Sequence, residues 1–323
     1  MNLETLNTTN GSTSVNCTRN LKITQTVFTV LYTVIFLLGI IMHCLSGWIF
    51  FNVPSKSVFI VYLKNSVVAD ILMILTLPFK ILSDSGIGPS QMSVIVCRFS
   101  AVIFHESMYI NLILLGLIGW DRFVKIVRPH SRNKMDNVSQ AKMISVAVWI
   151  VMSLLSLPNM ILSSEKADLQ SSRNCILLKT PLGVEWHKAV SYMGVIIFWF
   201  VFISMILFYT IISKKIYDCY INSKRKGNPS RKKRLKVFIV VAVFLLCFAP
   251  YHFLRLPYTF TQVGIIKDCQ LQNRIYVAKE TTQWLAATNV IMDPLIYVML
   301  CKPFRKLIPG FKSSSNCSQE ADI

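Results

Sequence analysis

The sequence has few charged residues, and its first residues contain no compact apolar segment behind a basic cluster. Only 15% of the 323 residues are charged, whereas 53% are hydrophobic. Because soluble domains carry about 25% charged residues, this composition predicts a chain that lies mostly in lipid. Residues 1–24 are polar, so we expect no cleaved signal peptide and an insertion signal in the first apolar segment.

Further absences weigh against several classes of protein. No internal repeat is evident, which argues against a transporter built from duplicated halves. No two cysteines have the Cys-x2-Cys spacing of a zinc site, and no metal-spaced histidines or Ser/His/Asp grouping indicates a hydrolase. We therefore predict neither catalytic residues nor a resident cofactor, and we keep a transporter or channel as a remote alternative.

Seven apolar segments are each long enough to span a membrane, for which a helix needs about 20 residues. Their approximate ranges are 26–52, 58–82, 94–126, 141–163, 188–214, 235–260 and 276–300. The fold predicted from this pattern is an all-α integral membrane protein, with a seven-transmembrane helix bundle over residues 26–300. It leaves an N-terminal segment, 1–25, and a tail, 301–323.

Lysine and arginine residues predict the orientation of this bundle. Most of the 34 basic residues fall on one side of it, which the positive-inside rule makes the cytoplasmic side. Residues 1–25 are then extracellular, and they contain three N-glycosylation sequons, at Asn7, Asn10 and Asn16. Two independent signals thus predict a multi-pass plasma-membrane protein with its N-terminus outside and its C-terminus in the cytoplasm.

The tail predicts a further contact with the membrane. Apolar and basic residues alternate over 301–308, as in a short amphipathic eighth helix that lies on the inner leaflet. Cys317 either carries palmitate as a second anchor or remains a free thiol.

Four cysteines fall on the extracellular side of the predicted bundle, where disulfides form and persist. Cys17, Cys97, Cys175 and Cys269 allow three pairings. We favour Cys97 with Cys175, which ties the top of the third span to the second outer loop. Cys17 would then pair with Cys269 and tie the N-terminus to the third outer loop.

Several polar residues and prolines lie at particular depths within the spans, where an ionisable residue is costly and indicates function. They are Asp70 in the second span, Asp121-Arg122-Phe123 ending the third, Trp149 in the fourth, Cys247-Phe248-Ala249-Pro250 in the sixth and Asp293-Pro294-Leu295-Ile296-Tyr297 ending the seventh. Together with the Cys97 and Cys175 pair, this set makes the chain resemble the rhodopsin-class G-protein-coupled receptors over its whole length.

A finer resemblance rests on five short segments. They are YLKN at 62–65, LPFKIL at 77–82, LPN at 157–159, PYHFLRLPYT at 250–259 and KETT at 279–282. In these segments the chain is similar to the purinergic nucleotide receptors, in particular the subgroup that responds to ADP and related nucleotides. The resemblance implies a receptor for an extracellular, ADP-like nucleotide that acts through inhibitory G proteins and lowers cAMP. A nucleotide sugar, an anionic lipid or an unassigned ligand of the same receptor class is the alternative.

Cations near the outer ends of the spans predict a site for an anion. Arg255 stands one to two turns above Pro250, and Lys279 begins the seventh span at a similar height. Lys179 follows Cys175 by four residues, so a disulfide at Cys175 would hold it over the mouth of a cavity. A phosphate charge and a cation about 4 Å apart attract by roughly 4 kcal/mol at an effective dielectric of 20.

Each of these cations, taken alone, has a simpler interpretation, since it can extend to the lipid headgroups or pair with Glu280 or Glu185. Three that converge on one mouth, with few acids beside them, favour a pocket. The spacing of His252, Arg255 and Tyr258 places all three on one face of the sixth helix.

The resemblance also implies individual roles. The residues implied to contact phosphate or ribose are Arg255, Lys279, Lys179, Tyr258, His187 and Gln262, and those implied to line the base end are Ser156 and Asn159. Tyr109 would bound the floor of the pocket. His105, followed by Glu106, replaces a tyrosine of the family, and an imidazole stacks less area on a base. His252 and Glu280 complete the predicted ligand-binding set.

Other residues are expected to transmit the signal. Pro250 lacks an N–H and should kink the sixth helix, with Phe248 one turn below the pocket as a sensor. Asp121 and Arg122 are implied to form the intracellular latch. The residues implied to take part in activation and G-protein coupling are Asp121, Arg122, Phe123, Phe248, Pro250, Asp293, Pro294 and Tyr297. The basic stretch 224–236 is a topology determinant attracted to anionic lipid, and it can also belong to a G-protein docking surface.

Asp70, Asn111, Asn289 and Asp293 are expected to meet as a polar cluster in the core. The family implies a sodium site there, and carboxylate and amide oxygens are hard ligands that suit such an ion. The alternative is one protonated acid hydrogen-bonded to its neighbours. His43 stands where such receptors usually have asparagine, and we expect it to alter basal activity.

Overall fold

The computed structural model describes residues 21–52, 54–89, 91–127, 137–163, 175–176, 178–225, 232–262 and 264–300. Several predicted features lie outside these residues and stay predictions. They are the glycan acceptors Asn7, Asn10 and Asn16, the disulfide candidate Cys17, the amphipathic helix 301–308, the palmitate candidate Cys317 and the part of the basic stretch at 226–231.

Within the described residues the chain folds into seven helices, which confirms the predicted all-α bundle. They are α1 (Leu21–Asn52), α2 (Val58–Ser85), α3 (Met92–Val127, with a π-helical turn at Val96–Ser100), α4 (Val138–Ile161), α5 (Pro181–Arg225), α6 (Lys232–Cys247 and Ala249–Gln262) and α7 (Cys269–Ala287 and Asn289–Leu300). By length and apolar composition, α1 to α6 each contain a stretch able to cross a membrane. α7 is less apolar because Lys279, Glu280 and Gln283 face a cavity.

Most helices extend past the predicted spans, since hydropathy marks only the part of a helix that lies in lipid. α5 departs furthest: it begins at Pro181, not at residue 188, and runs for 45 residues to Arg225. At 1.5 Å per residue it is about 68 Å long, roughly twice the hydrocarbon core. Its start is set by Thr180, whose Oγ1 accepts a hydrogen bond from the Gly183 N–H at 3.1 Å. Proline also suits the first helical position.

Both α6 and α7 are interrupted near a proline. Pro250 has no N–H to donate, and α6 breaks two residues before it, at Phe248. α7 breaks at Thr288, six residues before Pro294. The two breaks lie against each other, because Cys247 Sγ and Thr288 Oγ1 are 3.6 Å apart. The interruption in α6 falls where the sequence predicts a kink.

Glycines bring α3 and α5 close together. A Cβ added to Gly116 would lie 2.9 Å from Cγ1 of Val201, and one added to Gly119 would lie 2.5 Å from Sδ of Met205. Small residues allow such close approach of helices in a membrane, where packing rather than burial from water drives association. This contact fixes α5 against the central helix below the cavity.

Gly183 provides a test of the packing that holds the start of α5 against the end of α4. A Cβ at this position would lie 2.3 Å from the backbone oxygen of Leu162. We expect Gly183→Ala to destabilise the purified receptor by about 1–3 kcal/mol, because a backbone atom must move. Gly47→Ala is the control, since a Cβ there meets nothing within 4 Å. Equal thermal unfolding midpoints for the two variants would contradict this packing.

Candidate ligand-binding cavity and polar core

A cavity of about 950 Å³ opens at the end of the bundle where Cys97 and Cys175 lie. These two cysteines form a disulfide, which confirms the favoured pairing. Cys269 is also disulfide-bonded, and its pairing with Cys17 stays a prediction. The cavity brings together eleven of the twelve predicted ligand-binding residues: His105, Tyr109, Ser156, Asn159, Lys179, His187, Arg255, Tyr258, Gln262, Lys279 and Glu280.

His252 is the predicted ligand residue that does not line the cavity. Its ring stacks on Phe198 of α5 with centroids 4.3 Å apart, and it lies 5.3 Å from the ring of Tyr109. Residues three apart on an α-helix differ by about 60° in direction. His252 is therefore turned from Arg255 toward α5, into an aromatic cluster below the cavity. The prediction of one shared face holds for Arg255 and Tyr258 only.

Arg255 is held by a directed chain of hydrogen bonds. Its two terminal nitrogens donate to Tyr251 Oη and Ser191 Oγ, each at 3.0 Å. Tyr251 Oη lies 2.8 Å from Nε2 of His105, whose Nδ1 lies 2.6 Å from the Ala101 carbonyl oxygen. One assignment of hydrogens satisfies all three contacts. Arg255 donates to Tyr251 Oη, the Tyr251 hydroxyl donates to His105 Nε2, and His105 Nδ1 donates to the Ala101 carbonyl oxygen. His105 therefore orients Arg255 through Tyr251.

The guanidinium of Arg255 has further capacity for an anion. Among the described residues no carboxylate forms an ion pair with it. Its buried Nε has no hydrogen-bond partner there either. A buried cation balanced only by neutral hydroxyls favours the approach of a negatively charged ligand.

Lys179 lies over the cavity beside the disulfide, as the sequence predicts. Its Nζ donates hydrogen bonds to Asn159 Oδ1 at 3.1 Å and to the Asn159 carbonyl oxygen at 3.3 Å. Burial lowers the pKa of Lys179 to about 8, because removal from water disfavours the charged form. The ammonium thus titrates close to physiological pH.

The charge of Lys279 is balanced by an acidic neighbour, so this lysine is less available to an anion than the sequence predicts. Its Nζ lies 2.8 Å from Glu280 Oε1, and Glu280 Oε2 lies 3.5 Å from Lys80 Nζ. Lys80 also contacts Asp84 at 2.8 Å. Two lysines and two carboxylates therefore neutralise one another between α2 and α7. The expectation of few acids is wrong, since Asp84, Glu106 and Glu280 all line the cavity.

Sequence reasoning missed Lys80 and Asp84 as cavity residues. They stand four residues apart on α2, the spacing of an ion pair on one helix face. That spacing was available in the sequence. The meeting of α2 with α7 at this height was not, because it depends on how the helices pack.

The predicted polar cluster forms in the core, beneath the cavity. Asn111 Nδ2 donates to Asp70 Oδ1 at 2.6 Å, and Asn289 Nδ2 donates to Asp293 Oδ2 at 3.0 Å. Ser66 joins it, since its Oγ lies 2.8 Å from Asn111 Oδ1 and 3.1 Å from Asp293 Oδ2. All five residues are buried.

Two oxygens of this cluster lack a hydrogen-bond donor among the described residues, Asn289 Oδ1 and Asp293 Oδ1. Unsatisfied buried oxygens beside a second carboxylate, that of Asp70, form a donor set that fits a small hard cation. The residues present thus fit the implied sodium ion, whose binding here stays a prediction.

His43 joins this core to α7. Its Nε2 lies 2.7 Å from the Val290 carbonyl oxygen and 3.7 Å from Asp70 Oδ2. Pro294, four residues after Val290, has no N–H, so this carbonyl cannot receive its usual helical hydrogen bond. The His43 imidazole supplies the missing donor. An asparagine here would reach less far from α1.

At the opposite end of the bundle, Asp121 Oδ1 forms an ion pair with Lys125 Nζ at 3.0 Å. The guanidinium carbon of Arg122 lies 4.0 Å from the centre of the Phe59 ring. Phe123 stacks on Phe208 of α5 with centroids 5.1 Å apart. These three residues thus contact three different elements: Asp121 its own helix, Arg122 α2 and Phe123 α5.

Tyr297 and Phe248 are both buried in the bundle interior. Tyr297 Oη donates to Asp70 Oδ2 at 3.3 Å, which links the end of α7 to the polar cluster. Phe248 lies at the break in α6, one residue above Cys247 and below the cavity floor. Of the predicted activation residues, Phe248 thus lies at the joint of α6 and Tyr297 is joined to the polar cluster.

The comparisons with known proteins agree with this architecture. A model of the seven-transmembrane receptors of the rhodopsin family matches residues 48–297. The chain therefore belongs to the rhodopsin family of seven-transmembrane receptors, and it is a multi-pass membrane receptor.

Individual members of this family are similar to the chain over most of its length. The chain is 50% identical to purinoceptor 13 from Homo sapiens over 98% of its own length and 92% of the relative. It is 45% identical to purinoceptor 14 from Bos taurus over 91% and 87% of the two chains. G-protein coupled receptor 87 from Mus musculus is 39% identical over 96% and 86%. The resemblance to purinergic receptors is thereby confirmed.

His43 provides a test of the link between the core and α7. We expect His43→Asn to change basal G-protein activation at least twofold, because a buried carbonyl without its donor costs about 1–3 kcal/mol. Cys44→Ala, at an exposed neighbouring position on α1, controls for substitution in this helix. Basal activation would be measured without ligand at equal surface expression. Identical values for wild type and His43→Asn would remove the assigned role.

Proposed function

We propose that this chain is a plasma-membrane receptor for an extracellular nucleotide, an ADP-like nucleoside diphosphate, with its N-terminus outside the cell. Occupation of the cavity would activate an inhibitory G protein and lower cAMP. The observation that carries the proposal is Arg255, a guanidinium held in the cavity with no described carboxylate partner.

The chemistry of the cavity supports a phosphorylated ligand. A guanidinium can grip two phosphate oxygens at once, whereas lysine offers a point charge. Lys179 approaches from the disulfide-held segment, and Lys279 from α7. A phosphate that approaches Lys279 would have to compete with the carboxylate of Glu280. Arg255 is therefore expected to supply the larger share of the attraction.

The relatives add independent support. Two of them are named purinoceptors, and they are similar to this chain over nearly its whole length. A nucleotide sugar is the second candidate. Asp84 and Glu280 border the part of the cavity between α2 and α7, and carboxylates there can accept hydrogen bonds from sugar hydroxyls. A panel of both ligand classes, read by inhibition of cAMP formation, separates the two.

Transmission would use the two helix breaks. Ligand shifts a two-state equilibrium only by its differential affinity for the states, so an element must differ between them. The contact of Cys247 with Thr288 lies at the joints of α6 and α7, beside Phe248. Rotation of the inner part of α6 about this joint would expose the latch at Asp121 and Arg122 to the G protein, with sodium at Asp70 stabilising the resting state.

Substitution of Arg255 provides the first test of the proposed nucleotide site. We expect Arg255→Ala to lower the potency of ADP at least 100-fold at unchanged surface expression, because the paired contact with phosphate is lost. Arg255→Lys should lose about tenfold, since it keeps the charge but not the fork. Arg274→Ala removes the same side chain from an exposed position on α7 and should leave potency unchanged. An unaltered dose–response curve for Arg255→Ala would end the proposal.

Lys179 predicts a dependence on pH. With a pKa of about 8 in the free receptor, its charge is largely present at pH 7 and largely lost by pH 9. A bound phosphate favours the charged form and raises the pKa, so nucleotide affinity should fall as pH rises through 8, by at most tenfold per unit. Lys179→Arg keeps its charge throughout and should flatten the profile. The same fall in both proteins would show that another group titrates.

A further inference from the structure

Tyr251 supports Arg255 from behind the wall of the cavity. The two residues stand one turn apart on the same face of α6, and the Arg255 guanidinium donates a hydrogen bond to Tyr251 Oη at 3.0 Å. Arg255 lines the cavity, whereas Tyr251 is only 1% exposed and lies behind the lining residues. A ligand in the cavity therefore meets the guanidinium but not the phenol that holds it.

His105 of α3 uses both of its ring nitrogens in contacts with the protein. Nδ1 lies 2.6 Å from the carbonyl oxygen of Ala101, and Nε2 lies 2.8 Å from Tyr251 Oη. These contacts tie the ring to its own helix on one side and to α6 on the other. The side chain of His105 lines the cavity, but it has no free nitrogen to offer a ligand.

The carbonyl of Ala101 sets the direction of the hydrogen bonds that lead from His105 to Arg255. A carbonyl oxygen only accepts, so Nδ1 carries the proton at that contact, and Nε2 of the neutral imidazole has a lone pair. The Tyr251 hydroxyl donates its single proton to Nε2, so a lone pair faces Arg255. His105 thereby prevents the hydroxyl from turning its proton toward the guanidinium, where it would repel the cation.

Resting on the proposed nucleotide function, we infer that His105 is a positioning residue of the phosphate site. It holds Tyr251 as an acceptor, and Tyr251 in turn fixes the direction of Arg255 before the phosphate arrives. Such preorganisation raises affinity because less order has to be created on binding. The competing role for His105 is at the other end of the ligand, as a ring that stacks on the base.

His105→Phe separates the two roles by the sign of its effect. Phenylalanine removes both hydrogen bonds and has a larger aromatic ring than imidazole. If His105 positions Arg255, ADP should bind about 3- to 10-fold more weakly, the factor that corresponds to one neutral hydrogen bond. If His105 stacks on the base, ADP should bind equally well or more tightly, and the inference is overturned. Affinity would be measured by competition with a labelled nucleotide on membranes that contain the full-length receptor.

Two amide variants distinguish positioning from a requirement for bulk alone. The amide of His105→Gln reaches about as far as Nε2, and its oxygen can accept from the Tyr251 hydroxyl, so affinity should stay within about twofold of wild type. His105→Asn carries the same amide on a shorter side chain that does not reach Tyr251, and it should lose as much as His105→Phe. Equal affinities of the two amide variants would overturn the inference, even if the phenylalanine variant fails to reach the surface.

Tyr251→Phe tests whether His105 acts through the phenol. This variant removes the hydroxyl and should itself weaken ADP binding, because Arg255 loses an acceptor. When His105→Phe is added to Tyr251→Phe, the further loss should be less than about twofold, since no hydroxyl remains to be oriented. A second loss as large as that of His105→Phe alone would contradict the assigned route.

The outcomes separate the inference from the function on which it rests. If wild type binds ADP and Arg255→Ala weakens it, but the His105 variants bind ADP like wild type, the inference is overturned and the nucleotide receptor stands. If wild type binds no nucleoside diphosphate, the proposed function fails and the inference fails with it.

Discussion

The arrangement of the cavity depends on one guanidinium held inside a membrane bundle. An arginine at this depth is tolerated only where it faces the interior and where polar groups meet its donors. Tyr251 and Ser191 meet two of them, and His105 anchors Tyr251 in turn. These partners are neutral, so they fix the direction of Arg255 without cancelling its charge.

The acids beside the other cations limit what the cavity attracts. Lys80 and Lys279 are balanced by Asp84 and Glu280, so a phosphate gains less from them than from Arg255. The cavity therefore attracts anions at Arg255 of α6 and at Lys179 beside the disulfide, and it has a nearly neutral wall between α2 and α7. Such a division suits a ligand that carries charge at one end only.

The fold was largely predictable from the sequence. The length of the apolar segments, the distribution of basic residues and the positions of the cysteines can be interpreted without knowing how the helices pack. The disulfide of Cys97 with Cys175 and the lining by Arg255 followed from the same patterns. The pairing of Glu280 with Lys80 did not, since it arises from the packing of two helices distant in sequence. His252 was misplaced because residues three apart on a helix differ by about 60° in direction, which was enough to turn its ring toward Phe198 of α5.

The most direct test of the central claim is a structure of the receptor determined with a bound nucleoside diphosphate. We expect phosphate oxygens at hydrogen-bonding distance, about 2.7–3.2 Å, from the guanidinium nitrogens of Arg255. A ligand whose phosphates lie away from Arg255, with that side chain still satisfied by Tyr251 and Ser191 alone, would contradict it.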